Sequence, residues 1–263
     1  MRLTRYTLSL PRVPRPMTVA LVADLHDASG QKALAALRAE PIDLIAVAGD
    51  LTQRLDLPSG ANGGVDGRID HENAFSFLRE AAAIAPTCYA PGNHEMGSRA
   101  GEGGDMTSPT ARENLSQIER MGVSYSAGKL THPMEGVTVG GMESAYYYGN
   151  LPPSLEIVDR LEREEGLRIL LCHHPEYYPA LRDRQIDLIL SGHAHGGQIR
   201  LMGRGLYAPG QGLLPRYTRG VYDGRLVVSA GLTNTVPIPR IGNPTELVLL
   251  HLLPQSPKKT AMR

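Results

Sequence analysis

The chain has 263 residues, enough for one large domain or two small ones, with the composition of an ordinary globular protein. Basic and acidic residues balance at 27 each and the pI is about 7.1, so bulk charge advertises neither nucleic acid nor an anionic membrane as a partner. No stretch approaches the roughly 18 consecutive apolar residues of a membrane span, which argues against a transmembrane segment.

In chain order, Leu3, Tyr6, Leu8 and Leu10 alternate loosely with polar residues, which suits an outer strand. The same segment holds Arg2 and Arg5 but no apolar run, and Pro11, Pro14 and Pro16 follow. That makes a poor secretory signal, and a cytoplasmic location is expected. Residues 18–23 and 42–48 are continuous apolar runs of the kind buried on both faces. Between them Leu34 and Leu37 stand at helical spacing and Pro41 marks the stop, giving a βαβ unit. Asp70 can cap a helix through Ala85 with Phe77, Leu78, Ala81 and Ile84 on one face, and a strand follows over 87–90. Ser108-Pro109 opens a helix carrying Leu115, Ile118 and Met121 and closed by Gly122. Ser154 and Gly166 bracket another, and apolar runs over 168–172 and 186–190 read as strands.

Beyond His195 the texture changes to short strands over 198–201, 220–222, 226–229 and 246–250, with Asp223-Gly224 as a hairpin signal. Cys88 and Cys172 lie in apolar runs without CxxC spacing and read as reduced core residues. Two glycine-rich connections, 52–68 and 97–107, each follow a polar cluster; they read either as site lids or as surface insertions. No repeat or linker is visible. One domain over 1–263 is expected, with a frayed tail from about residue 254.

Five polar clusters sit where predicted strands end: Asp24-Leu25-His26, Gly49-Asp50, Gly92-Asn93-His94-Glu95, His173-His174, and Gly192-His193-Ala194-His195. Asp24 and His26 stand two apart, so on a strand both point to one side, offering an oxygen and a nitrogen suited to Zn, Mn or Fe. Asp50 is a candidate bridging carboxylate at the carboxyl end of a strand, where open α/β sheets bind ligands. Asn93 offers a carbonyl oxygen, and the His94 imidazole suits proton transfer or charge stabilisation near neutral pH. Neighbours in extended chain face opposite ways; His173 is taken as the ligand and His174 as a supporting or rim residue. His193 and His195 can chelate one ion or serve two neighbouring ones. Six of the nine histidines fall in these clusters, which chance does not readily produce.

The order Asp-x-His, Gly-Asp, Gly-Asn-His-Glu, a further His and Gly-His-x-His resembles the calcineurin-like metallophosphoesterase superfamily from residue 24 to 195. Gly196-Gly197-Gln198 and Pro239-Arg240-Ile241-Gly242 before Glu246 resemble one bacterial single-domain branch, which includes membrane-linked phosphodiesterases and UDP-diacylglucosamine hydrolases. Many members of that branch begin with a membrane helix or export signal, and neither is read here. The resemblance implies an α/β fold, a four-layer α/β/β/α sandwich with two mixed central sheets. It implies one metal held by Asp24, His26, Asp50 and His195 and another by Asp50, Asn93, His173 and His193. The ions would be divalent or mixed-valence Mn, Fe or Zn, about 3.5–4 Å apart, activating a bridging hydroxide for in-line attack on a phosphodiester, pyrophosphate or phosphomonoester. By the same resemblance His94 protonates the leaving oxygen or stabilises the transition state, and Glu95 holds the His94 ring or a ligand.

The expected substrate is a small-molecule or lipid-linked phosphoester. A non-catalytic scaffold on the same fold would have lost ligands, and none is lost; a nuclease would want more aromatics to stack bases. Specificity is expected in the two glycine-rich connections, in Tyr146-Tyr147-Tyr148, and in the stretch from Tyr207 to Tyr217.

Overall fold

A computed structural model of the protein describes residues 1–62, 69–96, 105–144, 154–234 and 237–255. The first half alternates strand and helix: β1 (Arg2–Leu10), β2 (Met17–Val22), α1 (Gln31–Arg38), β3 (Leu44–Ala48), α2 (Glu72–Ala82), β4 (Thr87–Ala90), α3 (Asn93–Met96), α4 (Pro109–Arg120) and β5 (Val123–Tyr125). Then follow β6 (Leu130–Met134), β7 (Val137–Gly141), α5 (Glu156–Leu161), β8 (Leu167–Leu171), α6 (Tyr178–Leu181) and β9 (Leu188–Ser191). The remainder is β: β10 (Arg200–Leu201), β11 (Arg204–Gly205), β12 (Tyr207–Ala208), β13 (Gly212–Leu213), β14 (Gly220–Tyr222), β15 (Leu226–Val228) and β16 (Glu246–Pro254).

Two six-stranded sheets, ordered β1-β16-β2-β3-β4-β5 and β14-β15-β9-β8-β7-β6, stack face to face. Both are mixed. In the first, β16 runs antiparallel to β2 while every other pair is parallel; in the second, the antiparallel pairs are β14 with β15 and β6 with β7.

Strand alternation splits each sheet between two cores. Val19, Leu21, Leu44, Ala46 and Leu250 meet Val139, Ile169, Leu171 and Leu190 between the sheets. The opposite face of the first sheet, with Ala20, Val22, Ile45, Val47 and Tyr89, is covered by Leu34 and Leu37 of α1, Phe77 and Leu78 of α2 and Ile118 of α4. Leu170, Ile189 and Val228 of the second sheet are covered by Val158 and Leu161 of α5 and Leu181 of α6. The layers are therefore α/β/β/α, as expected.

Several boundaries differ from the sequence reading. Ser108 does cap α4, accepting from the Ala111 N–H at 3.1 Å. Asp70, however, stands one position before the cap residue His71, where it accepts from the Glu72 N–H, and α2 stops at Ala82 rather than Ala85. The strand expected over 198–201 shrinks to its last two residues, because Gln198 adopts a left-handed backbone (φ 56°) that no ladder accepts. β5, β6 and β7 were not anticipated. β6 carries Pro133 and breaks register between Thr131 and Met134, which an edge position tolerates.

Cys88 and Cys172 are buried and free. Pro254 still pairs with Leu10, and the rest of the expected frayed tail beyond 255 lies outside the described residues, as does the Tyr146-Tyr147-Tyr148 triplet. Of the two long connections, 63–68 and 97–104 also lie outside them. Among the described residues no helix is long and apolar enough to cross a membrane.

Candidate metal centre

Parallel strands from both sheets end at one place. Asp24 follows β2, Asp50 follows β3, and Gly92 to Glu95 follow β4 in the first sheet; His173 follows β8 and His193 follows β9 in the second. Asp24, Asp50, Asn93, His173 and His193 are all buried. Asp24, His26, Asp50, His193 and His195 have positive φ, between 45° and 64°, and strain of this kind in non-glycine residues gathers at functional sites. It also corrects the alternation argument for Asp24 and His26. They do converge, but past the end of β2 in left-handed backbone, not on a pleat.

Among the described residues, ligand atoms come within 4.8 Å of one another in four overlapping groups: Asp24, His26 and His195; His26, Asp50 and His94; Asp50, His173 and His193; His174, Glu176 and His193. His26 Nε2 lies 4.0 Å from Asp24 Oδ1 and 3.8 Å from Asp50 Oδ2, and His195 Nε2 lies 3.8 Å from Asp24 Oδ1. His173 Nε2 is 3.1 Å and His94 Nε2 3.9 Å from Asp50 Oδ2. Asp50 thus stands at the middle, touching both halves. Asn93 sits between Gly92 and His94, which both reach Asp50: the His94 N–H donates to Asp50 Oδ1 at 2.9 Å, and any side chain at Gly92 would collide with that oxygen.

The fit to metal can be judged from what these atoms lack. Asp24 Oδ2, His26 Nε2, Asn93 Oδ1 and His173 Nε2 are buried without a hydrogen-bond partner. Four orphaned buried polar atoms at one point are costly unless something binds them. The set mixes carboxylate and amide oxygen with imidazole nitrogen, which suits Mn, Fe or Zn. His173 is oriented for it: Nδ1 donates to the Ala48 carbonyl at 2.7 Å, leaving Nε2 bare toward Asp50.

Burial dominates the electrostatics. It pushes Asp24 up to about 7, against the pull of His173. It would raise Asp50 too, but His173 and His94 hold that carboxyl well below the usual range. Burial alone would lower His173, yet the Asp50 charge beside it drives the imidazole up to about 10. His26 and His193 are pushed well down by burial, and His195 down to about 3 by burial and then Arg240. His26, His193 and His195 are thereby kept in the neutral form in which histidine ligates.

Several supporting residues escaped the sequence reading. Gln53 Oε1 accepts from His94 Nδ1 at 2.8 Å, so Gln53, not Glu95, holds the His94 ring. Glu95 instead braces the backbone around Asp50. Its buried carboxylate accepts from the N–H groups of Asp50, Leu51, Thr52 and Gly92 and from Tyr89 Oη, at 2.6–3.0 Å. His174 is buried rather than at the rim. Its Nε2 lies 2.5 Å from Ser144 Oγ and its Nδ1 3.0 Å from Glu176 Oε1, which is also 3.6 Å from His193 Nε2. Arg240 donates to His195 Nδ1 at 3.1 Å; ligation through Nε2 would place the ring proton on Nδ1 and turn Arg240 away. A glutamate two residues after a histidine, or an arginine distant in sequence, gives no spacing signal of its own. Tyr217 packs between Tyr178 and Tyr222, whereas Tyr207 is exposed.

The family model described as calcineurin-like phosphoesterase matches residues 17–197. A Bacillus subtilis protein carrying the name uncharacterized protein YpbG is 28% identical over 250 residues, covering 94% of this chain and 85% of that protein. A Helicobacter pylori protein named as an uncharacterized metallophosphoesterase is 23% identical, with coverage of 94% and 62%. This chain thus spans about three fifths of that relative's length. Among solved structures, TT1561 of Thermus thermophilus aligns with a TM-score of 0.44 at 14% identity, over 67% of this chain and 81% of that one, too distant to bear on function.

Proposed function

The chain belongs to the calcineurin-like phosphoesterase family, and we propose that it is a dinuclear metal-dependent phosphohydrolase of phosphodiester, pyrophosphate or phosphomonoester bonds. The observation that carries this is the convergence of four partnerless buried ligand atoms, from Asp24, His26, Asn93 and His173, around Asp50. In this reading Asp24, His26, Asp50 and His195 hold one ion and Asp50, Asn93, His173 and His193 the other. Bound there, two divalent cations lower the pKa of water and offset charge on the phosphoryl oxygens.

The rest of the chemistry falls to the chain. His94 keeps its Nδ1 proton on Gln53 and turns Nε2 toward Asp50. From there it protonates the departing oxygen or neutralises charge developing on phosphorus-bound oxygen. It is the most exposed of the centre histidines, with 18% of its side chain exposed against 14% for His195 and 9% for His193. Substrate therefore enters on the His94–His195 side. Glu95 fixes the Asp50 turn, so the central carboxylate meets its partners without searching for them. A small-molecule or lipid-linked phosphoester is the substrate class; the balanced charge and scarce aromatics support it over nucleic acid. Two free, buried cysteines support a cytoplasmic setting.

The test uses p-nitrophenyl phosphate and bis-p-nitrophenyl phosphate with Mn²⁺. Asp50→Asn and His94→Ala should each lower turnover by about 10²-fold or more, the usual weight of a positioned acid–base group. Unchanged hydrolysis in both variants would refute the proposal.

A further inference from the structure

Eight of the large apolar side chains exposed among the described residues crowd into two arms beyond the metal centre. One arm carries Leu201, Met202, Leu206, Tyr207, Leu213 and Leu214, and the other Ile238 and Ile241. Leu201 is 62% exposed, Leu213 75%, Leu214 74%, and Met202 fully so. Met202 and Leu214 sit at turn tips with positive φ, a conformation that presents an apolar side chain outward at a cost in backbone strain. Monomeric soluble proteins rarely leave so many large apolar groups together in water.

The arms form one surface. The Arg200 N–H donates to Ile241 O at 2.8 Å, the Leu206 N–H to Ile199 O at 2.8 Å, and the Leu214 N–H to Leu206 O at 2.9 Å. Both are tied to the segment that carries His195: the Leu206 N–H also donates to Gly197 O, and Arg240, beside Ile241, reaches His195 Nδ1. The patch therefore lies on the solvent-facing His195 side of the centre.

Its charge is one-sided. Between Gly196 and Tyr222 the sequence holds Arg200, Arg204, Arg216 and Arg219 and no aspartate, glutamate or lysine. From Asp223 to Thr245 it adds Arg225 and Arg240 against Asp223 alone. A chain of zero net charge has thus cleared acidic groups from the region that exposes its apolar residues. Arg219 is spent on Glu246 and Arg200 on Thr218 and Gly196 O, whereas Arg204 and Arg216 lie on the exposed surface among the leucines.

We propose that this surface docks the protein on an anionic lipid bilayer, the apolar tips entering the interface and Arg204 and Arg216 pairing with lipid phosphates. Leucine, methionine, isoleucine and tyrosine with arginine is the composition of an interfacial anchor, and the missing negative charge is what an anionic surface requires. Docking goes beyond the hydrolytic reading and does not depend on it, since binding is read without turnover.

The full chain is sedimented with vesicles of phosphatidylcholine alone and of phosphatidylcholine with phosphatidylglycerol, at low and high salt. Wild type should pellet with the anionic vesicles and be released by salt. Leu213→Ser with Leu214→Ser should weaken partition by about ten-fold or more, and Arg204→Ala with Arg216→Ala by a similar factor, at roughly five-fold per charge. Hydrolysis of a soluble diester should be unchanged in both. Failure to pellet with anionic vesicles at low salt, or pelleting that ignores the leucine pair, overturns the proposal. So does a dimer in sedimentation velocity that the leucine variant dissociates, which would assign the patch to a second copy, or a soluble protein partner whose binding the same variant abolishes while vesicle binding is absent.

Discussion

Replacing Glu95 by glutamine keeps the shape of the side chain and removes one acceptor. Oε1 accepts from Leu51, Thr52 and Tyr89, while Oε2 accepts from Asp50 and Gly92. The amide oxygen will take the three-donor position, so the new NH₂ group faces the N–H groups of Asp50 and Gly92. Two buried donors then lack acceptors, at about 1–3 kcal/mol each, for a gross cost of roughly 2–6 kcal/mol. Burial, and next the Asp50 charge, push the Glu95 carboxyl above its usual range, so relief of a buried charge returns part of this. A net loss of about 3 kcal/mol is expected. Urea unfolding of both proteins in EDTA measures it. Mn²⁺ titration should show affinity weakened by about 10–100-fold, since the loosened turn is the one that aims Asp50. An unfolding free energy within about 0.5 kcal/mol of wild type, the range of neutral surface changes, would refute the reasoning. It would mean that the carboxyl is already neutral among its five donors.

Gly92→Ala should lose both stability and Mn²⁺ binding, because the added methyl meets Asp50 Oδ1 and the Asp50 backbone nitrogen together; urea unfolding in EDTA and calorimetric titration check the two, and wild-type values in both would contradict it. His193→Ala and His195→Ala should each leave one metal bound preferentially while both lower activity, read by metal analysis after dialysis; equal loss of both ions in both variants would contradict the division. Asp27 supplies the pH test. Burial pushes its carboxyl up to about 7 from the ordinary 3.8, despite donors from Thr52 and Gln53. The fold therefore holds a proton that the unfolded chain has released. Its contribution is full below about pH 4 and disappears as pH rises through about 7. Asp27→Asn, whose amide can accept from Gln53 and donate to Thr52, should gain stability over wild type at pH 8 and little at pH 4, by urea unfolding in EDTA. Parallel pH profiles would contradict it.

The ligand clusters were legible because carboxylate, amide and imidazole gathered at strand ends have few structural uses, and because β2, β3, β8 and β9 are short, mostly apolar runs. What their neighbours do was not. Glu176 acquires its role only when the turn after β8 folds it back under His193, and Arg240 only when its loop crosses His195. Glu95 stood in the motif, yet its work is on the backbone of a different strand end, which no local pattern encodes. β7 was missed since Val-Thr-Val-Gly-Gly is too short and too rich in glycine to announce a strand; Gly141 is small because Ser126 O and the Ala90 methyl press against it. The left-handed turns at Asp24 and Asp50 are likewise unannounced, being imposed by the meeting of two sheets.

The position of β16 bears on how this protein comes into being. It lies between β1 and β2, so two strands that are neighbours in sequence are held apart until one more than 200 residues later arrives. Thr4 and Glu246, joined by a buried hydrogen bond, stand 242 positions apart. During synthesis β1 and the facing edge of β2 therefore wait unpaired until β16 has been translated, and only then does the sheet close. Contacts of such range make closure slow, and open edges in the interval invite pairing with other chains. Nascent copies that still lack β16 should accordingly depend on a holdase in a way that a refolded chain does not.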